Sequence, residues 1–150
     1  MPRLSAGVLL YRQRPELQVL LGHPGGPLWA KKDDGAWSIP KGEYEPDEEP
    51  RAAAYREFTE EIGSAPPDDP PRDLGELRLP SGKRLWVFAV SGDLDPAQAH
   101  SNTFEMVWPP RSGRIQSFPE IDRVDWFDLE TARRKLARGQ AEFLDRLLDG

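Results

Sequence analysis

Alternation of apolar and polar residues predicts strands in the first and middle parts of the chain. Residues 4–12 and 17–22 alternate around the turn-forming letters QRPE, which indicates a β-hairpin. Residues 74–79 and 83–90 flank the letters PSG in the same way and predict a second hairpin.

A helical period of about 3.6 residues lies between these two hairpins. Apolar residues recur every fourth position from 54 to 62 and predict a helix with one buried stripe. Its predicted start is Glu48, with Asp47 as the N-cap and Pro50 tolerated in the first turn. Gly63 is its predicted end, because glycine readily adopts the left-handed conformation that ends helices.

The C-terminal part of the chain is predicted to form a short strand and two helices. Residues 124–127 have the strand pattern, and Asp128 is placed to cap a helix over about 129–138. Gly139 breaks that helix, and 140–148 form a final amphipathic helix. The predicted apolar side of this helix consists of Phe143, Leu144, Leu147 and Leu148.

Two stretches rich in glycine and proline, 23–35 and 108–119, are predicted to be loops. A short strand is expected at 37–39, where Pro40 ends it. Strands around a central helix, followed by C-terminal helices, indicate an α/β sandwich with a mixed sheet. We expect a single domain over 1–150, since this length suits one ordinary domain.

Composition excludes several kinds of protein. The chain has no cysteine, which excludes disulfide scaffolds, cysteine nucleophiles and thiolate metal sites. Its two histidines are too few for a histidine-rich metal site. Its apolar runs are too short to span a membrane, and the N-terminus does not resemble a signal peptide. We therefore expect a cytoplasmic protein that does not interact with membranes.

The net charge of −6 is concentrated in one stretch of the sequence. Residues 43–61 hold eight acidic residues and two basic ones, while the rest of the chain is balanced. This distribution argues against nucleic-acid binding through a basic face.

Three carboxylates share one side of the predicted central helix. At 100° per residue, Glu57, Glu60 and Glu61 lie within an arc of about 100°. Like charges at these spacings destabilise a helix by about 0.2–0.5 kcal/mol per pair. A solvated acidic face is one interpretation. A functional site is the other, because sites often violate local preferences of this kind.

The residues around these glutamates favour the functional interpretation. Gly42 begins the letters GEYEPDE, and residues 56–63 read REFTEEIG. Together they resemble the signature of Nudix hydrolases, G-x5-E-x7-R-E-U-x-E-E-x-G-U, where U is a bulky apolar residue. Ser64 departs from the last position, which affects packing rather than chemistry. The resemblance implies a MutT-like α/β/α sandwich with a mixed sheet and the Nudix loop–helix–loop.

This resemblance also implies chemistry. Nudix hydrolases cleave a nucleoside diphosphate linked to another moiety by water attack, with Mg²⁺ or Mn²⁺. The pattern assigns Glu57, Glu60 and Glu61 as metal ligands, with Glu57 or its bound water close to the base chemistry. The backbone carbonyl of Lys41 is a further ligand in relatives. Arg56 is expected to orient the neighbouring carboxylates, and Glu48 to brace the loop.

Residues outside the signature are assigned less directly. Glu120 resembles the general base of diadenosine tetraphosphate hydrolases, and Glu105 is its competitor. His23 and His100 are expected to be loop residues without catalytic roles. The candidate substrate contacts are Lys41, Trp37, Lys32 and Arg111, with Lys31, Arg114, Trp29 and Phe118 as further possibilities.

The expected substrate is a small nucleotide, either a dinucleoside polyphosphate or a nucleoside triphosphate. ADP-ribose or a sugar nucleotide is the alternative substrate, and a non-catalytic nucleotide sensor is the alternative function. The lack of cysteine argues against isopentenyl-diphosphate isomerase, which shares the fold. The sequence leaves open whether the protein is a monomer or a homodimer.

Overall fold

A mixed sheet of six strands organises the chain in a computed structural model, which describes residues 3–149. In chain order the elements are β1 (Leu4–Gln13), β2 (Leu17–Pro24), β3 (Lys41–Glu43), α1 (Pro50–Ile62), β4 (Arg72–Arg78), β5 (Arg84–Ser91), β6 (Thr103–Val107), β7 (Ile115–Pro119), β8 (Ile121–Asp128), α2 (Leu129–Lys135) and α3 (Glu142–Leu148). Five strands follow the spatial order β4-β5-β1-β2-β8, and β3 pairs with β1. Strands β1 and β5 run parallel, whereas the other pairs in this sheet are antiparallel. Both predicted hairpins, β1–β2 and β4–β5, are confirmed.

The central strand β1 separates two hydrophobic cores, because alternate residues of a strand point to opposite faces. Val8 and Leu10 belong to the core that includes Phe58 of α1. Leu9 belongs to the other core, with Phe143 of α3 and residues of α2. Helices therefore cover both faces of the sheet, and the expected α/β/α sandwich is confirmed.

Helix α1 begins at Pro50, two residues after the predicted start, and Glu49 rather than Asp47 is the N-cap. The preceding residues form a turn instead of a helix. In this turn the Glu48 backbone N–H donates to the Glu45 carbonyl, and the Glu48 carboxylate accepts from the Glu45 backbone N–H. Proline suits the first helical position because its missing N–H would have no partner there.

The helix ends show one confirmed prediction and two wrong ones. Gly63 ends α1 as predicted, with a φ of 91°. Helix α2 stops at Lys135 instead of continuing to 138. The residues after it pair with Trp37 instead: Leu136 forms a β-bridge with Trp37, and the Ala137 N–H donates to the Trp37 carbonyl. Helix α3 begins at Glu142, and the predicted apolar residue Leu148 is 57% exposed.

The two predicted loops are each partly wrong. Strand β2 continues through Pro24, so only the later part of 23–35 is irregular. Residues 115–119 form β7, which pairs with β6 in a ribbon separate from the main sheet. The prolines and glycine that suggested a loop are confined largely to the tip of this ribbon, 108–114. The segment 37–39 forms only isolated bridges rather than a strand. Within 3–149, no helix combines the length and apolarity that crossing a membrane requires.

Candidate active site

The acidic end of α1 packs against β3, and a glycine makes this contact possible. A Cβ atom at Gly42 would lie only 2.0 Å from Cδ of Glu57, so a larger residue would displace this carboxylate. Next to it, Oε1 of Glu61 accepts a hydrogen bond of 3.1 Å from the backbone N–H of Lys41. Two glutamates of the signature therefore contact the same short strand.

Glu61 lies in an environment that disfavours its charge. Burial raises the pKa of Glu61 to about 8, and the carboxylates of Glu57 and Glu120 add to the increase. The hydrogen bond from Lys41 opposes it. Burial also lowers the pKa of the Lys41 amine, with a further contribution from the nearby charge of Lys83.

Arg56 connects the carboxylates on the exposed side of α1. Its Nη1 lies 3.0 Å from Oε1 of Glu57 and 3.4 Å from Oε1 of Glu60, while Nη2 lies 3.1 Å from Oε2 of Glu48. Burial nevertheless raises the pKa of Glu57, followed by repulsion from Glu60. Arg56 therefore compensates the repulsion between these acids only in part.

Glu120 is held beside α1 by a chain of backbone hydrogen bonds. The Asn102 N–H donates to the carbonyl of Glu60, and the Asn102 carbonyl accepts from the N–H of Glu120, each over 2.9 Å. On the other side, the Gly25 N–H donates to the carbonyl of Glu120 over 2.8 Å. These bonds position a residue that is 60 positions away from Glu60 in the sequence.

Glu120 and Glu105 are placed differently relative to the site. Partial burial raises the pKa of Glu120, and the charge of Glu60 raises it further, so the two carboxylates are close. Glu105 is exposed in the middle of β6, and its neighbour Phe104 contacts Gly26. Because adjacent strand residues point to opposite faces, Glu105 faces away from that contact. The structure thus favours Glu120 over its competitor.

The carboxylates of Glu57, Glu60, Glu61 and Glu120 therefore lie near enough to one another, at the C-terminal half of α1, for neighbouring acids to raise the pKa values of Glu57, Glu61 and Glu120. Within 3–149, no three acidic or histidine side chains are already arranged as ligands of one metal ion. Arg56 donates hydrogen bonds to the carboxylates of Glu57 and Glu60, and the backbone N–H of Lys41 donates to the carboxylate of Glu61. The donors are nevertheless hard oxygens on the helix end and β3, the type that Mg²⁺ and Mn²⁺ prefer. The set fits such an ion by its chemistry and its excess negative charge, if the side chains turn away from Arg56.

One predicted substrate contact is wrong. Trp37 is 3% exposed, and its indole N–H donates to Asp33. Its ring packs edge-on against His23 and Phe127, at centroid distances of 5.2 and 4.9 Å. A base cannot stack on a ring that is enclosed in this way.

The other proposed contacts lie on the surface or at its margin. Lys32 is exposed, and its ammonium group lies 4.9 Å from the centre of the Trp29 ring. Arg111 is exposed at the tip of the β6–β7 ribbon, with a φ of 66°. The Lys41 side chain is half-buried beside β1. The geometry does not bring these three side chains together.

Sequence reasoning missed the residues that hold Glu120 in place. Asn102 has no recognisable pattern, but the dipeptide Gly25-Gly26 was a usable signal. A Cβ at Gly25 would lie 2.0 Å from the carbonyl oxygen of Pro119, and one at Gly26 would lie 2.8 Å from Phe104. His23 was predicted to be a loop residue, whereas it is fully buried in β2.

Curated proteins match this chain over part of its length. Curated relatives include an RNA pyrophosphohydrolase of Pseudomonas putida, which is 42% identical over 52 residues. That match covers 33% of this chain and 33% of the relative.

Solved structures match over much more of the chain. The NUDIX domain of Shewanella oneidensis NrtR, complexed with ADP ribose, has a TM-score of 0.65 at 16% identity and covers 99% of this chain and 88% of that chain. A C. elegans Ap4A hydrolase has a TM-score of 0.64 at 20% identity, with coverage of 97% and 96%. Identities this low show the fold alone.

A family model, described as the NUDIX domain, matches residues 1–147. This match spans nearly the whole chain and includes the loop–helix–loop with Gly42, Arg56 and the three helix glutamates. Hydrolases of this family generally require a divalent metal ion. The chain belongs to the Nudix family.

Proposed function

We propose that this protein is a divalent-metal-dependent hydrolase that cleaves a phosphoanhydride bond of a nucleotide. The observation that carries the proposal is the meeting of Glu120 with the three glutamates of α1, around the buried carboxyl of Glu61. Acidic side chains that lie close together without enough compensating cations repel one another and destabilise the fold. They are suited to recruiting a cation that also attracts phosphate oxygens.

Each residue has a distinct role in the proposed reaction. Glu57, Glu60 and Glu61, with the carbonyl of Lys41, would hold Mg²⁺ or Mn²⁺. Such an ion supplies charge neutralisation for the diphosphate and lowers the pKa of the attacking water. Glu120 would accept the proton of this water, since its raised pKa lies nearer to neutrality than that of a free carboxylate. Arg56 would orient the neighbouring carboxylates, as a positioning residue.

The preferred substrates are dinucleoside polyphosphates and nucleoside triphosphates. A second candidate is a triphosphate at the 5′ end of RNA, which the 42% identity to an RNA pyrophosphohydrolase favours. The match spans only about a third of that relative's length, so its activity is a hypothesis for this chain. The net charge of −6 favours a small nucleotide over a long RNA chain. ADP-ribose and sugar nucleotides are the remaining alternatives.

A nucleotide sensor without catalysis is the competing function. The similar NrtR domain was solved with ADP ribose, which shows that this fold can hold a nucleotide ligand. All the charged positions of the signature are present in this chain, however, and Glu57, Glu60 and Glu61 lie in the C-terminal half of α1. This arrangement favours hydrolysis over sensing.

A hydrolysis screen in ¹⁸O-labelled water tests the proposal. The substrates are diadenosine tetraphosphate, nucleoside triphosphates, ADP-ribose, a sugar nucleotide and a short 5′-triphosphate RNA, each with Mg²⁺ and then Mn²⁺. Metal-dependent cleavage that is lost in Glu60→Gln and retained in Glu105→Gln supports the hydrolase, because the second change is identical but lies away from the site. Tight nucleotide binding without cleavage of any compound supports the sensor instead.

A further inference from the structure

His23 is a buried polar residue that the proposed reaction does not use. It is completely inaccessible to solvent, and both of its ring nitrogens have short contacts. Nδ1 lies 2.7 Å from Oδ1 of Asp122, and Nε2 lies 2.6 Å from the carbonyl oxygen of Lys32. The ring therefore joins three segments: β2, the loop after it and the start of β8.

The two contacts require one more proton than a neutral ring and a carboxylate carry together. A carbonyl oxygen only accepts hydrogen bonds, so Nε2 must carry a hydrogen. An ionised Asp122 also only accepts, so Nδ1 must carry a second hydrogen. If the additional proton resides on Asp122 instead, it still belongs to the same pair. A neutral imidazole beside an ionised carboxylate would leave one of the two contacts without a hydrogen.

A β-bulge directs Asp122 toward the ring. His23 pairs with Arg123 and the following Pro24 pairs with Ile121, so Asp122 is the extra residue between them. Bulges of this kind reorient a side chain at the cost of one ladder position. The backbone of β8 is thus shaped to make the His23 contact.

The His23–Asp122 bond acts together with a backbone bond to Glu120, and we call this pair of bonds the clamp. Two residues beyond His23, the N–H of Gly25 donates to the carbonyl of Glu120, which itself lies two residues before Asp122. Residues 23–25 and 120–122 are thus joined at both ends. A side-chain bond of 2.7 Å joins residues 23 and 122, and a backbone bond of 2.8 Å joins residues 25 and 120. Loss of the side-chain bond would free one of the two ends at which these segments are joined, and so loosen the segment that carries Glu120.

We propose that His23 is a positioning residue, which shares a proton with the bulged Asp122 and thereby holds Glu120 at the carboxylate cluster. This inference rests on the proposed function for its catalytic consequence, but the shared proton can be observed without any substrate. The remaining titratable groups around the ring are Lys32, Asp33, Arg123 and Lys135. Trp37 packs against the His23 ring, and both Asp33 and Arg123 contact Trp37. Lys135 is paired with Asp33.

¹⁵N NMR of the histidine rings provides the direct test, because the chain has only two histidines. In the wild-type protein at neutral pH, we expect both His23 nitrogens to be protonated, or one proton to be shared with Asp122. In Asp122→Asn the amide can donate to Nδ1, so a neutral ring protonated at Nε2 satisfies every bond. A neutral His23 with one unbonded nitrogen in the wild-type protein would overturn the proposal.

Kinetics test the consequence for Glu120. His23→Gln reaches only one of the two partners, so we expect kcat to fall about 10–100-fold with a smaller change in KM. Asp125→Asn, on the same strand, is the matched control and should behave like the wild type. An unchanged kcat in His23→Gln contradicts the positioning role.

Hydrogen exchange separates this proposal from the hydrolase assignment. In His23→Gln, the Gly25 amide should exchange at least several-fold faster, because the His23–Asp122 bond that supports its own bond to Glu120 is lost. If the NMR and exchange results appear as expected but no nucleotide is cleaved, the proposed function has failed and the clamp stands. If cleavage occurs but exchange at Gly25 is unaffected, the clamp has failed.

Discussion

Two acidic clusters of this protein differ in how their charges are compensated. Near the end of α2, Asp33 accepts from Nζ of Lys135 at 2.6 Å and from the Trp37 indole at 2.7 Å. Lys135 lowers the pKa of Asp33, and the indole lowers it further. At the end of α1, by contrast, burial raises the pKa of both Glu57 and Glu61.

The difference distinguishes a cluster that connects parts of the fold from the cluster that is proposed to bind a metal ion. Ion pairs around Asp33 connect a loop to α2, and each acid there has a cation of the protein as its partner. The cluster on α1 has more acids than Arg56 can neutralise. Side chains of the same chemistry thus acquire opposite pKa shifts, which marks the second cluster as the candidate site.

The largest expected effect is the loss of turnover when a cluster glutamate is neutralised. For Glu60→Gln we expect kcat to fall by about 10³-fold, since one charged ligand of the proposed metal is lost. The measurement is steady-state hydrolysis with saturating Mg²⁺. Asp33→Asn is the control, and it should keep its kcat. Equal losses in the two variants would remove the distinction between the clusters.

Glu120→Gln should have the next largest effect, about 10²-fold on kcat. A general base works only when deprotonated, so wild-type activity should be lost as pH falls through the raised pKa of Glu120. The variant should lack this acidic limb. A pH–rate profile from pH 5 to 9 checks the prediction, and an identical acidic limb in the variant excludes Glu120 as the base.

Glu61→Gln should stabilise the metal-free protein. The folded pKa of about 8 exceeds the ordinary value of 4.5, so the folded state binds the proton more tightly than the unfolded state. Glu61 therefore reduces stability progressively as pH rises from about 4.5 to 8. We expect the melting temperature of the variant to exceed that of the wild type by about 3–6 °C at pH 8.5 and to match it near pH 4.5. Thermal unfolding in EDTA measures both values, and the opposite pH dependence would contradict the burial of this carboxyl.

Lys135→Met should have the smallest effect and the opposite pH dependence. The lowered pKa of Asp33 means that its contribution to stability is present above pH 3.8 and is lost as pH falls through the folded pKa. Because Asp33 is exposed to solvent, which screens the ion pair, we expect the melting temperature to fall by no more than about 3 °C at pH 7, and turnover to be unchanged. A loss of activity would show that this cluster also serves the site.

Sequence reasoning reached the features that depend on local spacing. The glutamates of α1, Gly42 and Gly63 were identified because one continuous segment resembles the Nudix signature. Glu120 is a prediction from its resemblance to the general base of diadenosine tetraphosphate hydrolases. Trp37 was misjudged because its burial depends on Phe127, which is distant in sequence. His23 was misjudged for the same reason, since its partner Asp122 is 99 residues away. A linear pattern does not show which distant side chain will enclose an aromatic ring or satisfy a buried nitrogen.

The β6–β7 ribbon combines an anchored base with an exposed tip. Its base is held by the bonds of Gly25, Asn102 and Glu120, whereas residues 109–115 are all exposed. Insertions or exchanges at this tip should therefore be tolerated without disturbing the carboxylates. For protein engineering, the tip is a position where new loops can be introduced while the anchored base of the ribbon is retained.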